Sequence, residues 1–389
     1  MAGIDVNESE VSFVYSKAKI GEEQIVIALT KDDDALTGGV PLLVWTNSNG
    51  WKRFTLKTGT SIEIGTTVDF SDPNWNSLYY KDTVLSNFDF VALTGAFMEQ
   101  YWHYGGAEYW TRWSCEHNLP FAIHNLFFHY DNIPTNITAA EFITQRVDKV
   151  LLTILENRTS SCHFRIVLAG EPYFEYQGQI IWQGQYQPYL LYQQMGQDWI
   201  VEAETQLLAK AFNQGLVLNQ DFEIIGINLP GIELPGNITD YTISEVVRLK
   251  RSVYEKLSDE LRGTYAIQTW RDIPFDIGAE FHLEDELGDR NVTLPLSRFD
   301  IELINSNVRA IEQETGSRVH ITELDGVGKP EDLAYAMAEL MSKGNFASIT
   351  FFEPLKPVTD PRDPWQNILF DNAQRPTLAY YLILKHMIN

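Results

Sequence analysis

The sequence predicts an α/β fold, a closed (β/α)8 barrel of the TIM type preceded by a small β-rich N-terminal extension. Three observations carry that expectation. Eight apolar runs of strand length recur from residue 61 onward. Helical patterns, in which apolar residues return every three and four positions, separate most of them. The runs are also apolar almost throughout, as strands covered on both faces must be, which favours a parallel barrel over an open sheet. A chain of 389 residues that is 44% hydrophobic and 13% aromatic can fill such a core.

Residues 1–55 read differently from the rest. They hold β-like runs at 11–15 and 24–29, an acidic patch at 32–34, the pair Gly38-Gly39 and the apolar VPLLVW ending at Trp45. This stretch is expected to form a β-rich extension packing on a main domain of residues 56–389. Within that domain the strand-like runs are SIEIGTTV (61–68), FDFVALT (88–94), PFAIHNLFF (120–128), FRIVLAGE (164–171), LVLNQDF (216–222), FDIGAEFHL (275–283), RVHITEL (318–324) and SITFFEP (348–354). Helices are expected at 139–157, 196–213, 243–262, 297–315, 330–342 and 376–387. Thr138 ahead of Ala139, and Pro330 followed by Glu331 and Asp332, are start signals for two of them.

Charge and composition exclude several functions. A net charge of −24 repels phosphate-rich partners, and no basic patch interleaved with aromatics offsets it, so nucleic acid and anionic membrane are not expected partners. No apolar run approaches the ~20 residues that span a bilayer. The start, MAGIDVNESE, shows no signal peptide, which fits an intracellular protein or one whose leader has been removed. Cys115 and Cys162 are too few for a disulfide framework or a zinc cluster. Each precedes a strand-like run, so they stand either as two thiols or as one disulfide. Sequons at Asn7, Asn136, Asn157, Asn237 and Asn291 matter only in a secreted, glycosylated protein.

The chemistry is expected where strands end. RVHITELDG (318–326) places Glu323 at the exit of an apolar run with Asp325 just behind it, and FRIVLAGEP (164–172) ends likewise in Glu171. A carboxylate there is costly unless its charge is used. Two glutamates on two strands supply what a two-carboxylate glycosidase needs, one proton donor and one nucleophile. Other strand ends add His124, Asn125 and His129 from the third run, Asn219, Gln220 and Asp221 from the fifth, Glu280 and His282 from the sixth, and Glu353 from the eighth, with Trp365 in the loop beyond. His124, His129 and His282 with an acid are a conceivable metal set, but the first run lacks the His-x-His that many barrel hydrolases place there, so no metal is expected. A G-x-S-x-G elbow and a glycine-rich phosphate loop are also missing, and no cofactor is implied.

From about Thr58 to its end the chain resembles the family-10 glycoside hydrolases, retaining endo-β-1,4-xylanases built on this barrel. The resemblance runs in order through IGTTV, FAIHNLFFH, GEP, QPYLLYQQMGQDWIVEAETQLLAKAF, FDIGAEFHL, ITELD and ILFDNAQRPTLAYYLIL, and ITELD is its most specific piece. It implies that Glu323 is the nucleophile and Glu171 the general acid/base. The expected sugar contacts are His124, His129, Asn219, Glu280, His282 and Trp365, with Trp102, Trp110 and Trp182 as further stacking candidates. The implied partner is a xylan-like β-1,4-linked polysaccharide or oligosaccharide, met by a monomeric, secreted or extracytoplasmic enzyme. The sequence departs from the family at several points. Gly170 stands where the family has an Asn that bonds the sugar's 2-hydroxyl, and TGAFMEQYW (94–102) replaces the segment that grips the next sugar. Glu280 replaces a Gln, and Phe128 and Phe352 replace two Trp. Either the sugar subsites are rebuilt for another or a substituted chain, or the barrel is a carbohydrate-binding protein without catalysis.

Overall fold

The apolar runs become the staves of a closed barrel in the computed structural model, which describes residues 14–20, 23–29, 43–46, 50–53, 55–58, 60–68, 78–94, 106–127, 136–157, 162–170, 174–176, 179–182, 190–230, 237–284, 292–293, 298–327, 329–352, 369–370 and 376–388. In chain order the staves are β1 (Glu63–Val68), β2 (Phe90–Thr94), β3 (Phe121–Phe127), β4 (Phe164–Gly170), β5 (Phe222–Pro230), β6 (Asp276–Glu284), β7 (Val319–Val327) and β8 (Ser348–Phe351). Each pairs in parallel with the next, and β8 pairs in parallel with β1, so the ring closes. Every residue of β3, β4 and β8 is buried, which is why these runs are apolar throughout instead of alternating.

A helix follows each strand: α1 (Leu78–Asn87), α2 (Gly106–Glu116), α3 (Ala139–Asn157), α4 (Asp198–Asn213), α5 (Asn237–Lys256), α6 (Arg298–Thr315), α7 (Pro330–Lys343) and α8 (Leu378–Ile388). The apolar stripe of α3 is Phe142, Ile143, Val147, Val150, Leu151 and Ile154, all buried. Its start is a capping box, in which Thr138 and Glu141 satisfy each other's backbone N–H groups. The helices α1 and α2 are absent from the sequence expectation, and the predicted stretch 243–262 divides into the end of α5 and a short helix, Asp259–Thr264. A disulfide joins Cys115 of α2 to Cys162 ahead of β4. Before the barrel, Val14–Ile20, Glu23–Leu29, Leu43–Thr46 and Gly50–Arg53 form an antiparallel four-stranded sheet in that order.

The fifth strand corrects the sequence reading. Residues 216–222 are the approach to β5, which itself spans Phe222–Pro230. Asn219 lies three residues before the strand, exposed, with a left-handed φ of 61°, and its N–H donates to the Phe222 carbonyl at 2.8 Å. It therefore sits at the N-terminal end of the barrel, away from the mouth. Gly226 hid the true strand by looking like a break. Inside β5 a Cβ at that position would overlap the Phe275 ring, so the glycine is there to admit it.

Charged side chains close the barrel's N-terminal end. Arg165, at the start of β4, donates to Glu223 on β5 and to Glu63 on β1. Arg318 donates to Glu223 and Asp276, and His320 bridges Ser348 at 2.8 Å and Asp276 at 3.4 Å. The opposite, C-terminal end is left for chemistry.

Candidate active site

Register decides which polar groups meet at that C-terminal mouth. Side chains alternate along a strand, so Gly278, Glu280 and His282 of β6 share one face. Across from them on β7, Glu280 pairs with Glu323 and His282 with Asp325. On the other side Asn228 of β5 pairs with Gly278 of β6 and with Gly170 of β4. Between the pairs Ala279–Ile321 and Glu280–Glu323, β7 carries one residue more than β6, and that residue is Thr322. Such a bulge re-aims the strand. It lets two successive side chains, Thr322 and Glu323, reach one partner, where a regular strand would face them to opposite sides.

That partner is Asn228, which is fully buried. The Thr322 hydroxyl donates to Asn228 Oδ1 and lies 3.2 Å from the Ala279 carbonyl. With its oxygen occupied, the amide turns its nitrogen toward the acids. Nδ2 donates to Glu280 Oε1 at 2.7 Å and to Glu323 Oε1 at 3.2 Å. One neutral amide thus holds two carboxylates that would otherwise repel across the β6–β7 pair.

Two histidines flank Glu323 in opposite charge states. His124 Nε2 lies 3.3 Å from Glu323 Oε1, without the alignment of a hydrogen bond, and the edge of Phe352 stands beside the ring. Burial pushes His124 down to about 4, so it is neutral at neutral pH. His282 places Nδ1 2.6 Å from Asp325 Oδ1 and Nε2 3.8 Å from Glu280 Oε2. Burial disfavours its charge, but hydrogen bonds to Asp325 and Glu280 and the charges of Asp325 and Glu323 outweigh burial and raise it to about 12. His282 is therefore an imidazolium among three carboxylates. Because its folded value is raised, the stability it contributes is full below the unfolded value of about 6.5, declines progressively as pH rises above that, and is gone once pH has passed through about 12. In a nitrogen-detected NMR titration of the histidine rings between pH 5 and pH 10, His282 is expected to stay protonated throughout and His124 neutral throughout. A midpoint near 6.5 for either ring would show that this charge arrangement does not form.

Among the described residues, Glu280, His282 and Glu323 are the group that could hold a metal, their donor atoms lying within 4.8 Å of one another. The proton on His282 already supplies positive charge there, and a metal would have to displace it.

Of the sequence-predicted site residues, the structure brings together His124, Glu280, His282 and Glu323. Glu171, His129 and Trp365 lie outside the described residues. Asn219 is excluded by its position below β5. Trp110, one of the stacking candidates, is no sugar platform: it is wholly buried in α2, 5.0 Å from the Trp113 ring and 5.9 Å from Tyr80. Asn228 and Thr322 were missed. The signal for Asn228 was an amide inside the apolar run Ile224–Leu229, where a polar group must be paying for its burial with a partner. Nothing in the sequence marks the bulge at Thr322.

No protein-family model matches the chain, and no curated protein matches it. Solved structures do. A psychrophilic glycoside hydrolase family 10 endo-β-1,4-xylanase is similar with a TM-score of 0.58 at 14% identity, over 85% of this chain and 99% of its own. The intracellular xylanase of Thermoanaerobacterium saccharolyticum, in complex with xylotetraose, gives 0.58 at 15% identity, over 84% and 97%. Xylanase A of P fluorescens subsp. cellulosa, in complex with xylopentaose, gives 0.57 at 16% identity, over 86% and 100%. At such identities the similarity is one of fold, the (β/α)8 barrel.

Proposed function

We propose that this chain is a retaining glycoside hydrolase that cleaves a xylan-like β-1,4-linked polysaccharide or oligosaccharide, with Glu323 as nucleophile and Glu171 as general acid/base. The observation that carries the reading is the setting of Glu323. Its carboxylate stands at the barrel mouth, held by Asn228, with neutral His124 on one side and the His282 imidazolium close by. Nearby positive charge and a donated N–H favour the ionised form that a nucleophile needs. Glu171 follows Gly170, the last residue of β4, whose register partner is Asn228. That supports a second carboxyl near the first, as retention requires with carboxyls about 5–5.5 Å apart.

In the first step a Glu323 oxygen bonds the anomeric carbon as the glycosidic bond breaks, and Glu171 gives its proton to the leaving oxygen. Water then attacks the glycosyl ester, Glu171 takes the water's proton, and Glu323 leaves as carboxylate. Buried His124 and Glu280 and half-buried His282 are the proposed contacts for the sugar at the cleavage point, with His129 and Trp365 from the flanking loops. Xylo-oligosaccharides bound to two of the fold neighbours support a xylan-like chain as the ligand. The disulfide supports a site of action outside a reducing cytosol.

The test is hydrolysis of aryl β-xylobioside, β-xyloside, β-cellobioside and β-glucoside by the wild type, with the first-formed anomer read by NMR. Cleavage of at least one, giving the β-anomer first, is expected, and the preferred sugar then defines the substrate. Binding of an oligosaccharide by calorimetry without any cleavage would mean a carbohydrate-binding barrel.

A further inference from the structure

We propose that Thr322 and Gly278 position the Glu323 carboxylate for attack by locking the orientation of the Asn228 amide between them. The inference rests on the reading of Glu323 as the nucleophile. An Asn amide can sit either way round, and here the two ways differ sharply. In the observed one, Oδ1 accepts from Thr322 and Nδ2 donates to Glu280 and Glu323. Reversed, the carbonyl oxygen would face two carboxylate oxygens and repel both. Thr322 is the donor that selects the first, and among the described residues it is the one that donates to Oδ1.

Two features of the backbone make this contact possible. The β7 bulge turns Thr322 inward beside Glu323. Gly278 leaves the space in which the hydroxyl and the amide meet, since a Cβ there would stand 2.7 Å from Asn228 Oδ1 and 2.9 Å from Thr322 Cγ2. Without the Thr322 hydroxyl, Oδ1 is buried with no donor, so the amide loses the contact that fixes its tilt and its hold on Glu323 loosens. Thr322 and Gly278 touch no reacting atom; they are positioning residues that act through Asn228.

The experiment follows the nucleophile directly. A 2-deoxy-2-fluoro dinitrophenyl β-glycoside of the sugar that the wild type cleaves best is added, and trapping is followed by dinitrophenolate release and intact-protein mass. In trapping, a Glu323 oxygen bonds the anomeric carbon, the bond from that carbon to the aryl oxygen breaks, and dinitrophenolate leaves with the electron pair. No acid is needed, so Glu171 does not enter. Thr322→Val is expected to slow trapping on the order of 10- to 100-fold, the scale on which small misplacements of a reacting group are felt, with the half-saturating probe concentration unchanged. Thr322→Ser restores most of the rate, because it keeps the hydroxyl. Gly278→Ala slows trapping while leaving every hydrogen-bonding group in place, and it carries the comparison should Thr322→Val fail to fold. A purely structural role would lower the melting temperature but leave the trapping rate of the folded protein intact. Trapping of Thr322→Val and Gly278→Ala at the wild-type rate, or equal slowing by the Val and Ser variants, would overturn the proposal alone. Failure of the wild type to be trapped would overturn it together with the reading on which it rests.

Discussion

Glu323→Ala is expected to remove hydrolysis almost completely, with kcat/KM falling on the order of 10⁴- to 10⁶-fold, the range seen when the attacking group of a covalent mechanism is deleted. Neither of the acids described beside it can take over. Glu280 sits across the strand pair, but it is buried and its Oε1 accepts from Asn228. Asp325 lies two residues on, against the His282 ring. The stereochemistry of chemical rescue separates this role from that of Glu171. Azide added to Glu323→Ala can enter only from the face that the carboxylate vacated, and it gives the inverted α-glycosyl azide. Azide added to Glu171→Ala instead intercepts the glycosyl ester on Glu323 and gives the retained β-azide, since an activated aryl leaving group lets the first step proceed without acid. The same azide anomer from both variants would break the assignment of the two glutamates, and residual wild-type activity in Glu323→Ala would remove Glu323 from the mechanism.

The elements that could be read from the sequence are those whose burial is uniform. β3, β4 and β8 are covered on both faces, so their runs are continuous and their positions were legible to within three residues. So was α3, whose stripe repeats at helical spacing. β5 was not, because Gly226 interrupts it for the sake of Phe275, and the polar Asn219 next to a shorter apolar run looked like a strand end. α2 was missed for a related reason. Its inward residues include Trp110, which reads as a sugar-stacking aromatic until its burial places it in the core beside Trp113. The site shows the same division. Glu323, Glu280, His282 and His124 each stand out as polar groups in apolar runs, whereas the Asn228–Thr322 contact depends on a register shift that no single residue announces. The pairing of His282 with Asp325 is likewise a fact of register, and it sets the charge of the ring.

At the other end of the barrel, Arg165→Met is expected to cost about 3–5 kcal/mol of stability, the range for removing one partner of a buried ion pair. Methionine keeps much of the side chain's bulk, so what is lost is charge. Arg165 is 5% exposed, its guanidinium lies 4.3 Å from the centre of the Phe90 ring, and it links Glu223 and Glu63. Burial pushes the Glu223 carboxyl up, but the His163 hydrogen bond, the Arg165 and His320 charges and the Arg318 hydrogen bond outweigh it and hold the group far below the usual carboxylate range. A group depressed in this way contributes stability above its unfolded value of about 4.3 and loses it progressively as pH falls below that. The wild type should therefore lose stability between pH 5 and pH 3, and Arg165→Met, with a weaker hold on Glu223, should lose less over the same interval. Guanidinium unfolding at pH 7 and pH 3 measures both quantities. Arg112→Met provides the contrast: its ion pair with Glu108 on α2 is exposed on both sides, and breaking it is expected to cost no more than about 0.5 kcal/mol. If Arg165→Met proves as mild as Arg112→Met, or if its stability falls with acid as steeply as the wild type's, the ion pairs at the barrel's N-terminal end are not what holds that end closed.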